Sequence, residues 1–307
     1  MTDMPQPVLV GIDGTPSGRE ALALGSAFAV LTGAPLVLGA VYGFSGGSFA
    51  DALWWPPPQD AQRWLDEAAT QLGDAIPWST RIIQASSPAH GLTQLAELED
   101  ARMIVLGSNR DGPIGRVLAG STGRRVAHGA PCAVAVAPHD WRPLPPDVPL
   151  MFGVGITDSE ESREALELAA TFATSAHAPL KVITAVHVPP PAHPMFAATG
   201  TSYAGWRRDL VEGAEHMAHA AVAALRPETE SEVVIVEGDA LERLADASRG
   251  LDVLLVGSRR FGPVRSALLG GVSTRLIERA ACPVVIVPRG VHADGAQSVA
   301  DEQPAHA

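Results

Sequence analysis

Short apolar runs recur along the chain and alternate with segments of helical periodicity. MIVLG (103–107) and PVVIV (283–287) carry no charged residue on either face, which is typical of strands buried on both sides. In each half the order is strand, helix, strand, long loop, helix, strand, helix and strand. Strands that alternate with helices in this way predict a mainly parallel sheet with helices on both faces.

The chain carries this pattern twice. Residues 107–138 align with residues 257–288 without a gap, and residues 10–38 align in the same way with residues 154–182. The matched positions include several glycines, an Ala-Pro pair before the second strand and a cysteine just before the last strand. Self-similarity on this scale predicts two copies of one module.

A proline-rich segment between the copies predicts where the modules end. Its sequence, PHDWRPLPPDVP, spans residues 138–149, and proline at this density is typical of a linker. We therefore expect module 1 over residues 1–139, a linker over 140–149 and module 2 over 150–290. Residues 291–307 lack apolar periodicity, which predicts a flexible tail.

Composition and charge exclude several classes of protein. Hydrophobic residues make up 46% of the chain, which is enough for buried cores and argues against global disorder. Asp and Glu outnumber Lys and Arg by 34 to 22, and the formal charge of -12 would repel nucleic acids and anionic membranes. The two cysteines form no CxxC pair, and the chain has no basic leader and no apolar run of membrane length. We expect a soluble cytoplasmic protein.

Three kinds of motif together resemble the universal stress protein family. They are VGIDGTPS (10–17), the G-x12-GS core of 107–121, and the endings APCAVAVAP (130–138) and ACPVVIVP (281–288). The resemblance extends over nearly the whole chain. The chain is therefore similar to a tandem member, with one family module in each half.

This resemblance implies a fold and a set of partners. Each half would be a flavodoxin-like (Rossmann-like) α/β module with five mainly parallel strands, and the two halves of tandem members can pair as an intramolecular pseudo-dimer. Two such chains could also associate further as a homodimer. Some members bind ATP through the motif G-x2-G-x9-G-[S/T], whereas others lack the motif and do not bind ATP. The family acts in survival of stress or growth arrest, usually through regulation rather than a known turnover reaction.

The family's nucleotide motif is incomplete in module 1. Gly107, Gly120 and Ser121 match it, but Arg110 stands where the motif has its second glycine. Asp13 matches the family aspartate after the first strand, which is expected near the ribose or the adenine. Module 1 is therefore the better of the two nucleotide sites.

Module 2 departs further from the motif. Gly257 and Gly270 match, but Arg260 replaces the second glycine and Gly271 replaces the final Ser or Thr. Thr157 holds the position that corresponds to the aspartate of module 1. We expect module 2 to be the poorer site.

Arginine in place of the second glycine leaves several interpretations open. If position 110 requires a positive φ, a residue other than glycine costs about 1–2 kcal/mol, whereas a charged hydrogen bond from Arg110 to phosphate would contribute about 1.5–3 kcal/mol. Arg110 could therefore close the site or strengthen it, or it could pair with Asp111. Gly112 and Gly262, two residues further on in each module, could relocate the turn.

The residues that we expect to bind nucleotide lie around these motifs. In module 1 they are Asp13, Gly14, Val41, Gly107, Ser108, Arg110, Gly112, Gly120, Ser121 and Thr122, and in module 2 they are Gly257, Arg260, Gly262, Gly270, Gly271 and Ser273. Backbone amides of the glycines and of Ser121 would face the phosphates, and Ser121 or Thr122 would cap the following helix. Asp13 would accept hydrogen bonds from ribose hydroxyls, and backbone groups of Val41 would meet the adenine. The alternative for each is a structural role, as a helix cap or a turn glycine.

Two functions from different classes fit this sequence. A regulatory sensor would hold ATP, accompanied by Mg²⁺, in module 1 and would present a changed surface to an unknown protein partner. The alternative is a dimeric protein-interaction scaffold that binds no nucleotide. Slow ATP hydrolysis is a third option. A P-loop enzyme is excluded, because the only lysine, Lys181, lies in a predicted strand and not in a glycine motif.

Overall fold

The computed structural model describes most of the chain as one α/β assembly. The described residues are 5–43, 56–108, 121–143, 148–193, 202–258 and 271–288. The strands in these ranges are β1 (Val8–Gly11), β2 (Leu36–Tyr42), β3 (Trp78–Gln84), β4 (Met103–Gly107), β5 (Ala133–Ala137), β6 (Phe152–Gly155), β7 (Leu180–Val186), β8 (Ser231–Glu237), β9 (Val253–Gly257) and β10 (Val284–Val287). The helices are α1 (Pro16–Thr32), α2 (Pro58–Ala69), α3 (Pro88–Leu98), α4 (Ser121–Gly129), α5 (Glu160–Ser175), α6 (Tyr203–Ala223), α7 (Ala240–Ala247) and α8 (Gly271–Leu276), with a 3₁₀ turn at Ser248–Gly250.

All these strands belong to a single sheet with the order β3-β2-β1-β4-β5-β10-β9-β6-β7-β8. Within each half the neighbouring strands are parallel. The order in each half is that of a Rossmann-like sheet, and it reverses between β1 and β4 in module 1 and between β6 and β9 in module 2. The predicted fold class is therefore confirmed: two parallel α/β modules of five strands each.

The two modules join through their last strands. β5 and β10 are antiparallel, with Ala135 opposite Val285 at the centre of the pairing. Because both strands are fully buried, the junction is an interior seam and not a loose contact between domains. The described part of the sheet ends at β3 on one side and at β8 on the other.

Local sequence signals explain where several helices begin. The hydroxyl of Ser87 accepts a hydrogen bond from the amide of His90 at 3.2 Å, and the hydroxyl of Ser159 accepts one from the amide of Ser162 at 3.2 Å. The carboxylate of Asp239 does the same for Glu242 at 3.1 Å. These residues satisfy amides that have no partner inside their helices, and so fix the first turns of α3, α5 and α7.

Two apolar layers cover the two faces of the sheet. Helices α1, α2, α5 and α6 cover one face, and helices α3, α4, α7 and α8 cover the other. The first layer is continuous across both modules and contains Phe28, Phe152 and Phe172, all fully buried. The prediction of helices on both faces is confirmed.

The longest described helix, α6, lies largely at the surface. Ala218 is its buried residue, and charged side chains occur along its length. Among the helices that the structure describes, none combines the length and the apolar character that a membrane span needs.

Candidate functional site

The turn between β1 and α1 presents the carboxylate of Asp13 at the carboxyl edge of the module 1 sheet. This carboxylate accepts hydrogen bonds from the amide of Thr15 at 3.0 Å and from its hydroxyl at 2.6 Å, and the hydroxyl of Ser17 lies 3.5 Å away. Gly14 has a φ of 71°, a left-handed conformation that favours glycine. A carboxylate offers about four acceptor positions, so the exposed side chain of Asp13 can accept further hydrogen bonds.

Gly107 brings the end of β4 against the first turn of α1. A Cβ atom at this position would overlap the carbonyl oxygen of Ser17. In module 2, a Cβ at Gly257 would lie 2.6 Å from the carbonyl oxygen of Glu161, at the start of α5. The first glycine of the motif is thus required by helix–strand packing in both modules, independently of any nucleotide.

Ser108 follows directly at the end of β4 and is completely buried. Its amide donates to the carbonyl of Ala137 at 3.0 Å, so this amide is not free to bind a ligand. Its hydroxyl, in contrast, has no hydrogen-bond partner in the described part of the chain. A buried hydroxyl normally has a partner, so the Ser108 hydroxyl leaves hydrogen-bonding capacity unused at the end of β4.

Val41 lies on β2, the strand on the other side of β1. The register pairs Gly11 with Gly39, so Val41 is two residues closer to the carboxyl edge of the sheet. Its side chain is buried and packs against Gly91 of α3, and it pairs with Ile83 of β3. The structure therefore explains Val41 as a core residue whose main chain runs toward the edge at which Asp13 lies.

The structure describes only some of the remaining residues that we predicted to bind nucleotide. Helix α4 begins at Ser121, with Thr122 half-buried in its first turn, and α8 begins at the exposed Gly271. Arg110, Gly112, Gly120, Arg260, Gly262 and Gly270 lie outside the residues that the structure describes. The role of each of these six residues stays a prediction.

The corresponding turn of module 2 is closed on itself. The hydroxyls of Thr157, Ser159 and Ser162 hydrogen-bond one another at 3.1–3.4 Å. Asp158, one residue later than the position of Asp13, forms an ion pair with Arg163 at 3.1 Å. This turn therefore satisfies its own polar groups.

Ser273 was predicted to contact nucleotide, and the structure gives its hydroxyl a partner within the protein. The side chain is buried and donates to the carbonyl of Gly257 at 3.0 Å. This bond ties the first turn of α8 to the end of β9. The equivalent residue in module 1 is Gly123, so this tie has no counterpart there.

A partly buried polar cluster that sequence analysis missed anchors the start of the linker. The Glu20 carboxylate on α1 lies 3.2 Å from Nδ1 of His139 and accepts the amide of Asp140 at 2.7 Å. A carboxylate oxygen of Glu20, a ring nitrogen of His139 and a carboxylate oxygen of Asp140 lie within 4.8 Å of one another. Because Glu20 and His139 are 119 residues apart in sequence, no local motif could have revealed the contact.

Comparison with solved structures supports the fold. The chain superimposes on a universal stress protein from Archaeoglobus fulgidus with a TM-score of 0.62, over 93% of this chain and 99% of the other. The two sequences are 18% identical, so this likeness concerns the architecture alone.

Sequence comparison identifies the family. Universal stress protein Rv2319c of Mycobacterium tuberculosis is 28% identical over 240 residues, 75% of this chain and 77% of the relative. Rv2005c of the same organism is 24% identical over 308 residues, 91% of this chain and 96% of the relative. The model of the universal stress protein family matches residues 4–138 and again residues 151–288. The chain belongs to the universal stress protein family and carries two copies of its module.

Proposed function

We propose that this protein is a regulatory protein of the stress response that binds one molecule of ATP at the carboxyl edge of module 1. The supporting observation is the contact between Gly107 and Ser17, which sets the Asp13 turn directly beside the end of β4. In open α/β sheets, ligands bind in the crevice where the strand order reverses. The reversal of module 1 falls between β1 and β4, the two strands that lead to these residues.

The residues of this edge fit a nucleotide. Asp13 has acceptor capacity for ribose hydroxyls, and the orphaned hydroxyl of Ser108 is a donor without a partner among the described residues. The amino end of α4, a helix of nine residues, would favour the negative charge of the phosphates. Mg²⁺ enters as the ion that accompanies ATP and neutralises part of its charge.

Module 2 is a poorer candidate for the same ligand. Thr157 stands where module 1 has Asp13, and the nearby Asp158 is paired with Arg163. The helix that follows its glycine motif has six residues, compared with nine in α4. We therefore assign a single nucleotide to each chain.

We further propose that the protein acts in the cytoplasm and that its bound nucleotide has a regulatory role and is not hydrolysed. The only lysine, Lys181, lies on β7 beside Glu232, far along the sheet from the edge of module 1. The scaffold alternative would use the apolar last strands as interfaces. In this structure β5 and β10 pair with each other inside one chain, so neither of these two strands leaves an open edge for a second chain.

The test measures the stoichiometry and affinity of ATP. Native mass spectrometry of the full-length protein, followed by calorimetric titration with ATP and Mg²⁺, should give one nucleotide per chain. Asp13→Asn keeps an acceptor for Thr15 but removes the charge, and we expect affinity to fall by about tenfold to a hundredfold. Asp158→Asn is the matched control in module 2 and should change affinity by less than about twofold.

Three results would contradict the proposal. Two bound nucleotides would mean that module 2 is competent. An equal effect of the two substitutions would remove the assignment to Asp13. A protein that purifies empty and ignores added ATP would favour the scaffold.

A further inference from the structure

Each module has a cleft between the helices that follow its first and second strands, and these two clefts are equivalent. In module 1 the cleft lies between α1 and α2 and encloses about 40 Å³. In module 2 it lies between α5 and α6 and encloses about 310 Å³. The sheet register sets Trp78 beside Leu36 and Ser231 beside Leu180. Counted back from this pair of equivalent positions, the four residues of α2 and of the turn after it that line the module 1 cleft each have an equivalent that lines the module 2 cleft.

The difference in volume follows from three substitutions on the second helix. Trp64 of α2 corresponds to Met217 of α6, and its indole lies directly over Gly14. Glu67 and Gln71 of α2 correspond to Ala220 and Ala224 of α6, both of which are exposed. Module 1 therefore fills its own cleft with side chains, whereas module 2 leaves the same space open.

The open cleft has an apolar interior of the size of a ligand site. Ile156 and Leu166 are buried, and Met217, Ala221 and Leu225 are half-buried along the facing helix. Small-molecule sites typically enclose about 300–1,000 Å³ and are lined mainly by apolar side chains with a few polar groups. The cleft of module 2 lies at the lower end of that range.

Polar groups at the mouth of the cleft determine which ligand charge it favours. Asp158 and Arg163 neutralise each other at 3.1 Å, and the hydroxyls of Thr157 and Ser162 are bonded to each other. Glu167 is exposed, and its carboxylate forms no ion pair with another described residue. Among the described residues, the lining of the cleft therefore carries one uncompensated negative charge, that of Glu167, and no cation that lacks an ion-pair partner.

We propose that the cleft between α5 and α6 binds a small amphipathic amine. Its apolar body would lie against Leu166, Met217 and Ala221, and its ammonium group would pair with Glu167 at the mouth. The lining favours a cation over an anionic nucleotide, because the charge of Arg163 is offset by Asp158. The site is thus separate from the edge of module 1 in position and in chemistry, and it does not depend on the ATP proposal.

The test uses two probes of the same shape. Calorimetric titration of the full-length protein compares 1-naphthylmethylamine, a cation at neutral pH, with the uncharged 1-naphthylmethanol. We expect one site per chain, with the amine bound about two- to fivefold more tightly, because an exposed ion pair is worth up to about 1 kcal/mol. Glu167→Gln should remove this preference and leave the affinity of the alcohol unchanged. Failure of both probes to bind at millimolar concentration, or tighter binding of the alcohol, would overturn the proposal.

Substitutions that exchange residues between the modules locate the site. Met217→Trp installs the side chain of module 1 in the cleft of module 2 and should weaken both probes more than tenfold. Trp64→Met is the matched control and should leave this site unchanged. Ala224→Gln, at an exposed position, should also weaken both probes and serves as the second variant if Met217→Trp lowers stability. Probe binding that survives both module 2 substitutions would refute the location, and ATP titration of the same variants tests the nucleotide site independently.

Discussion

The rings of Phe28 and Phe172 stack across the junction of the two modules, with their centroids 5.0 Å apart and an angle of 23° between their planes. Phe28 belongs to α1 and Phe172 to α5, and both are fully buried. Phe152 of β6 adds a tilted contact at 6.3 Å. The two modules therefore share one core beneath the seam of β5 and β10, and we expect them to unfold together.

This aromatic pair should show energetic coupling. Phe28→Leu and Phe172→Leu keep apolar bulk, so each should lower the free energy of unfolding by about 1–3 kcal/mol, part of it lost stacking. Once one ring is gone, the second substitution can no longer lose the stacking between Phe28 and Phe172. The loss of unfolding free energy in the double variant should therefore be about 0.5–1.5 kcal/mol smaller than the sum of the two single losses. Urea unfolding measures all four proteins, and strict additivity or two separate transitions would contradict a shared core.

The ion pair that also crosses the junction should contribute far less. Arg124 of module 1 lies 3.4 Å from Glu278 of module 2, and the two side chains are 51% and 34% exposed. Exposed pairs of this kind contribute about 0–1 kcal/mol and are screened by salt. We expect Arg124→Ala to change the free energy of unfolding by less than about 1 kcal/mol at low salt and by less still in 0.5 M NaCl. A loss as large as that of Phe172→Leu would mean that charge, and not packing, joins the modules.

The repeat and the strand pattern predicted the architecture because both can be recognised from short stretches of neighbouring residues. Runs such as MIVLG are apolar on every residue, and that alone indicates burial on both faces. The antiparallel pairing of Ala135 with Val285 has no such local signal. It depends on how two similar modules face each other, and the family resemblance predicted only that the two halves pair, not which strands meet.

The candidate site depends on contacts between distant parts of the chain, which sequence analysis could not predict. Sequence analysis assigned Gly107 to phosphate binding, but its contact with Ser17 joins segments that are distant in the chain, and only the folded structure reveals it. The same holds for Glu20 and His139. Sequence analysis did not detect that Trp64 corresponds to Met217. The long loops after the second strands differ in length between the modules, so the gap-free alignment that relates α1 to α5 does not place α2 over α6.

The packing role of the first motif glycine can be separated from nucleotide binding. Gly107→Ala places a methyl group against the backbone of α1, and Gly257→Ala does the same against α5. Each should lower the free energy of unfolding by about 1–3 kcal/mol in the absence of ATP. Gly213→Ala is the control, because it lies inside α6 and, apart from its own chain neighbours and the adjacent helix backbone, no atom lies within 4 Å of the added group; it should stabilise by about 0.5–1 kcal/mol. If Gly107→Ala unfolds like the wild type, the close approach is not tight.

The two cysteines should make the protein less stable as the pH rises from about 9 to about 12. Burial raises the pKa of the Cys132 and Cys282 thiols from 9.0 to about 12. In the unfolded chain these thiols ionise near their ordinary pKa, whereas the folded protein holds both protons. The unfolded state therefore binds fewer protons in this range, and the free energy of unfolding falls with increasing pH.

Replacing both thiols should flatten that dependence. The double variant Cys132→Ala, Cys282→Ala loses some stability at every pH through the cavities that it creates, so the comparison is between slopes and not between absolute values. The two proteins differ in the two thiols alone, so a difference between their slopes is assigned to Cys132 and Cys282. We expect urea unfolding at pH 8, 9, 10 and 11, under reducing conditions, to show a shallower decline for the double variant above pH 9 and parallel curves below it. Equal slopes throughout would mean that the thiols reach solvent in the folded state and ionise there as they do in the unfolded chain.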